Sequence, residues 1–90
     1  MRARLVDPRD TRWEVEARAY RVYFWLQAPG PAGPGWTSEE WEITGADVGE
    51  VLGWASHDTQ HREYVLYACC TCNGERGLIR LLGHNPAEKA

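Results

Sequence analysis

The sequence predicts a small α+β domain of order ββαββ: a four-stranded, mainly antiparallel sheet with one helix packed on one face. Three observations predict it. From Trp13 to Leu26 apolar residues alternate with polar ones, the period of a half-buried strand. Val48, Val51, Leu52 and Ala55 recur at the i, i+3, i+4, i+7 spacing of a buried helical stripe. Asn73-Gly74 lies between two strand-like runs, and the favoured two-residue hairpin turn needs positive φ at both of its central positions.

Residues 1–11 mix Arg2, Arg4 and Arg9 with Asp7, Pro8 and Asp10, and read as a loose arm with a short edge strand at Ala3 to Val6. Trp13, Val15, Ala17 and Ala19 then form one apolar set, and Tyr20, Val22, Phe24 and Leu26 a second. The two sets have opposite parity. A strand carrying both needs a bulge or bend around Arg18 to Tyr20. Residues 28–35 hold three Pro and three Gly and read as a hairpin loop, because Pro lacks a backbone donor and Gly costs entropy. The strand pattern returns from Trp36 to Thr44.

The helix is expected from Thr44 to about Asp58. Thr44 reads as its N-cap, with Asp47 in the capping-box position and Ile43 and Val48 as a hydrophobic staple. Gly49 and Gly53 each cost about 1 kcal/mol relative to Ala inside a helix. Their presence predicts a tightly packed neighbour, a Trp or a strand backbone. Glu63 to Leu82 is the second hairpin. Its turn sets Cys70 opposite Gly77, Ala68 opposite Ile79 and Leu66 opposite Leu81. Tyr64, Leu66, Ala68, Cys70, Ile79 and Leu81 then meet the helix. Residues 84–90 read as a frayed polar tail.

Composition narrows the function. Ninety residues make one domain, and 43% apolar with 26% charged residues is a globular balance, not a disordered one. A net charge of −3 disfavours duplex nucleic acid, whose affinity comes from neutralised phosphates. No apolar run is long enough for a signal peptide or a membrane span, so a cytoplasmic location is expected. Three Cys, with Cys69 and Cys70 adjacent, do not form a secreted disulfide framework and are expected to be reduced.

One helix can cover only one face of such a sheet. The other face is expected to present Arg21, Tyr23, Trp25, Val65, Tyr67, Arg76, Leu78, Arg80 and Leu82. Tyr, Trp and Arg are the residues enriched at interface hot spots. The leading expectation is therefore a non-enzymatic interaction protein, forming a homodimer or binding a protein partner through this face. Two alternatives use the same residue types differently. Tyr23, Trp25 and Tyr67 are a candidate stacking platform for a single-stranded nucleic acid, with Arg21, Arg76 and Arg80 at its phosphates. His57, His61, Cys70 and Cys72 are a candidate zinc set, although Cys-x-Cys is tighter than the usual finger spacing. No cofactor and no small-molecule substrate is evident. Phosphate loops, dinucleotide fingerprints and hydrolase elbows are absent from the sequence. The neighbours His57 and Asp58 point apart on a helix.

The run Ile43-Thr-Gly-Ala-Asp-Val-Gly-Glu-Val-Leu-Gly-Trp-Ala55, with Tyr64-Val-Leu-Tyr67 and Gly77-Leu-Ile-Arg-Leu-Leu-Gly83, resembles small uncharacterised proteins of actinobacteria such as Streptomyces. The resemblance covers about the last half of the chain. It implies a bacterial cytoplasmic origin, in keeping with nine Arg to one Lys, and by analogy a small accessory or immunity-type binder.

Overall fold

The computed structural model describes residues 1–31 and 33–86, and the side chains of all of these but 28, 29, 33 and 34. Its elements are β1 (Ala19–Gly30), β2 (Gly33–Thr44), α1 (Val48–Ser56), β3 (Glu63–Cys72) and β4 (Glu75–Leu82). The fold is α+β in the order ββαββ, as the sequence predicts. The four strands make one antiparallel sheet in the order β2-β1-β3-β4. The two hairpins therefore join through β1 and β3, and β2 and β4 are the outer strands.

The conflict of parity before Tyr20 is resolved without a bulge. The sheet begins at Ala19, so only the even set is woven into it. Tyr20, Val22 and Phe24 are buried, whereas Trp13 and Val15 stay 80% and 78% exposed. Residues 11–18 carry no strand pairing, and the edge strand expected at Ala3 to Val6 is absent. The arm holds instead a 3-10 turn, Pro8–Asp10, capped by Asp7 through its Arg9 backbone N–H at 2.9 Å.

The Pro/Gly stretch is tighter than the expected 28–35 loop. β1 and β2 stay paired as far as Gly30 and Gly33, with Pro29 directly opposite Pro34. Neither proline has an N–H, so this can only be a non-hydrogen-bonded pair, whose missing donors would point away from the ladder. The arrangement is permitted because β3 pairs with β1 only from Tyr20 to Trp25. Past Trp25 the hairpin is a two-stranded ribbon with free outer edges. Ala32 of the expected loop and residues 87–90 of the expected frayed tail lie outside the described residues.

The helix starts later than the sequence pattern suggests. Asp47, not Thr44, is the N-cap, and it forms a reciprocal capping box with Glu50: Asp47 accepts from the Glu50 N–H at 2.8 Å, and Glu50 accepts from the Asp47 N–H at 3.2 Å. Thr44 ends β2, and Gly45 turns the chain with φ +73. Ala46 and Val51 then occupy the staple positions in place of Ile43 and Val48, and both pack in the core.

Among the described residues the core joins Tyr20, Val22 and Phe24 of β1, Leu66 of β3, and Val51 and Ala55 of α1. Ile43, Leu52, Tyr64 and Ala68 close around them. No helix of the described chain is long and apolar enough to cross a membrane.

The expected close neighbours of the helix glycines are missing. A Cβ at Gly53 would meet nothing within 4 Å, and one at Gly49 would meet only the Asp47 side chain, at 3.3 Å. Replacing Gly53 with Ala should therefore stabilise the fold by up to about 1 kcal/mol. Leu66→Ala should destabilise it by roughly 2–5 kcal/mol through the cavity it leaves. Urea denaturation followed by circular dichroism measures both.

Candidate functional site

β4 is an outer strand whose residues are exposed from end to end. Four of its eight residues are nevertheless large and aliphatic: Leu78, Ile79, Leu81 and Leu82. An outer strand leaves a row of backbone N–H and C=O groups unpaired on one side, and native proteins usually blunt such edges with charge, Pro or a cover. Glu75, Arg76 and Arg80 are the charges here.

A register shift between Leu66 and Tyr67 alters the inner end of this strand. Leu66 faces Leu82, whereas Tyr67 faces Arg80, so Leu81 is the extra residue of a bulge. The shift corrects two expectations. Leu66 is opposite Leu82 rather than Leu81. Leu82 leaves the open face and joins Leu81 on the helix side. There the two leucines line an apolar groove of about 420 Å³ with Ala17, Tyr20, Val48, Leu52, Leu66 and Ala68. Val48, expected in the buried stripe, is the first residue of α1 and is exposed at this groove.

The remaining open-face residues do share one side of the sheet. Arg21 is opposite Tyr67, Tyr23 is opposite Val65, and Trp25 follows two residues on from Tyr23. Across β3, Arg80 faces Tyr67, Leu78 faces Cys69, and Arg76 faces Thr71. This side is less bare than the sequence suggests. Val65 is 0% exposed, and the rings of Tyr23 and Tyr67 lie 5.1 Å apart. Trp25 is half-buried, and its indole N–H is buried without a hydrogen-bond partner.

Glu42 of β2 gathers two of the three arginines. Arg21 Nε is 3.1 Å and Arg76 Nη2 is 2.9 Å from the same Oε1. The Arg76 pair bridges the two outer strands over the floor made by β1 and β3. Both guanidinium groups, Arg21 first, hold the Glu42 carboxyl below its ordinary pKa. Exposed pairs of this kind contribute little to stability, but they neutralise charge that a phosphate would otherwise meet. Sequence reasoning did not single out Glu42, since its role depends on the strand order. Arg80 has no ion-pair partner among the described residues.

On the other side of α1 the helix and β2 form a second, polar and aromatic cleft of about 460 Å³. Arg62 is its centre. Its guanidinium lies 4.5 Å over the Phe24 ring and makes a two-pronged bond to Asp58, with Nε 3.1 Å from Oδ2 and Nη2 2.9 Å from Oδ1. Both side chains are only 10% exposed. Glu39 sits 3.5 Å from Arg62 Nη1 and accepts the Trp41 indole N–H at 2.7 Å. Trp54 packs edge-on against Trp41 and tilted against Phe24, each at 5.6 Å. The donors of Arg62 are spent on these carboxylates, so the cluster fastens the loop after α1 to the sheet. The Phe24 stack and the Glu39 contact require long-range pairing that local sequence spacing does not reveal.

Among the described residues no three His, Cys, Asp or Glu side chains converge as metal ligands. His57 is the C-cap of α1, with Nδ1 2.6 Å from the Gly53 carbonyl oxygen. His61 lies beyond the helix end with φ +50, so the two histidines do not share a helical face. Cys70 and Cys72 share the helix side of β3, and both thiols are free.

Comparison with protein-family models, with curated proteins and with solved structures finds no match to the chain.

The Arg62 contacts lower the Asp58 pKa from 3.8 to about 2, chiefly through the side-chain hydrogen bonds. A lowered carboxylate stabilises the fold above its unfolded value and loses that contribution as the pH falls. The melting temperature should therefore fall between about pH 4 and pH 2 as Asp58 is protonated. In Asp58→Asn this part of the pH dependence should be missing, and stability at neutral pH should be lower. Thermal melts at pH 2 to 7 on both proteins check it.

Proposed function

We propose that the chain is a non-enzymatic interaction protein that associates by adding a strand at the free edge of β4, and that its partner is a second copy. One observation carries this reading. β4 is exposed along its whole length and is apolar on both sides, with Leu78 on the open side and Ile79, Leu81 and Leu82 on the helix side. An added strand would use the free backbone groups for affinity and the alternate side-chain positions for specificity. The apolar groove beside Leu81 and Leu82 gives those side chains somewhere to go.

This reading keeps the expected interaction role and moves its centre. The aromatic open face remains part of the surface near Leu78 and Arg80. Its inner half is already occupied by its own rings and by Glu42. A single-stranded nucleic acid is supported less well, because Arg21 and Arg76 would have to leave Glu42 to meet phosphates. A cytoplasmic setting suits the three free thiols.

Sedimentation equilibrium from about 1 µM upwards tests the proposal, since interfaces of modest size span micromolar to picomolar affinity. We expect a monomer–dimer equilibrium that Ile79→Lys shifts to monomer without changing the circular dichroism spectrum. A chain that stays monomeric to about 1 mM, a concentration at which only millimolar affinity would escape detection, overturns it.

A further inference from the structure

We infer that the strand added to β4 is the arm segment Arg12–Arg18 of the second copy, exchanged reciprocally between the two chains. The inference rests on the β4-edge reading and names what occupies that edge.

The arm is built as a strand and is not used as one. Trp13, Val15 and Ala17 alternate with Glu14 and Glu16, the pattern of a half-buried strand. Yet residues 11–18 carry no strand pairing, and Trp13 and Val15 are 80% and 78% exposed. One molecule thus holds an unpaired strand sequence and an unpaired strand edge.

The two are complementary side for side. β4 presents Arg76, Leu78 and Arg80 on its open side, with Arg76 already paired to Glu42, and Ile79, Leu81 and Leu82 on its helix side. An arm laid along it sets Glu14 and Glu16 on the open side when Trp13 and Val15 face the groove. Arg80, which has no ion-pair partner among the described residues, then gains a carboxylate across the ladder. Arg12 and Arg18 share the side of the glutamates. Favourable registers are therefore those that set Glu14 or Glu16, and not Arg12 or Arg18, beside Arg80.

In the structure the chain's own arm does not make this pairing: residues 11–18 carry no strand pairing, and Ala17 packs against its own core. Ala17 is two residues from Ala19, the start of β1, and so lies within about 7 Å of it. β4 is two strand spacings from β1, so a strand added at its free edge lies three spacings from β1, about 14 Å away. A segment that includes Ala17 cannot lie along that edge unless it comes from another copy. Reciprocal exchange about a twofold axis closes the pair and leaves no free β4 edge.

The test is a charge reversal on the full-length chain, read by sedimentation equilibrium. Both arm positions are exposed, so Glu14→Arg with Glu16→Arg should leave the fold intact and weaken the dimer about tenfold or more. Adding Arg80→Glu to that variant should restore it. Isotope-filtered NMR on mixed labelled and unlabelled chains should show the Trp13 indole against the Ile79 and Leu81 methyl groups. A dimer indifferent to the arm charges would mean that β4 pairs with β4, which overturns this inference and leaves the edge reading standing. Weakening without rescue overturns it too. A wild-type monomer at all concentrations overturns both.

Discussion

The structure depends on one mismatch of size. A helix of nine residues is about 14 Å long. A four-stranded sheet is about as wide, and strands of 12 residues run to about 40 Å. The helix can therefore seal only the middle of one face. That middle is the core, where Val51 and Ala55 meet Tyr20, Val22, Phe24 and Leu66. Two clefts lie where the cover ends. Towards β2 the gap is filled by Arg62 and its carboxylates, stacked on Phe24 and edged by Trp41 and Trp54. Towards β4 no charged side chain among the described residues lines the gap, and an apolar groove is left beside an outer strand.

The two sides of the helix thus solve the same deficit differently. On the β2 side a desolvated ion pair is acceptable because both partners are hydrogen-bonded and the guanidinium lies on an aromatic face. The β4 side is lined mainly by apolar side chains, Leu52, Leu66, Leu81 and Leu82 among them. Apolar area left in water costs about 25 cal/mol per Å², and a backbone edge attracts other strands. Association at the open edge, as proposed, would relieve both at once. A domain this small buries little area by itself and gains proportionally from a partner.

Much of this was legible in the sequence. The order of elements, the Asn73-Gly74 turn and the Tyr20, Val22, Phe24 core follow from period and turn chemistry, because these depend on near neighbours. The register of the second hairpin was readable from its turn as far as Tyr67 and Arg80. The bulge beyond them is tertiary, and it moved Leu82 from the open side to the groove. The helix start was displaced because Thr44 and Asp47 both read as caps, and Gly45 at positive φ decides between them. The arm departs from its pattern for an instructive reason: residues 13–17 have a strand's alternation but no strand partner among the described residues of their own chain. Glu42, Arg62 and the cleft around Trp54 could not be found from spacing, since their contacts join segments that the strand order alone brings together.

The most direct measurement is amide hydrogen exchange along β4 at low and high protein concentration. The outward-facing amides of an outer strand exchange freely unless another chain pairs with them. Our account predicts that the outward-facing β4 amides become protected as concentration rises, together with amides of residues 12–18, while the β2 edge is unchanged. Exchange at β4 that stays fast and independent of concentration would contradict it.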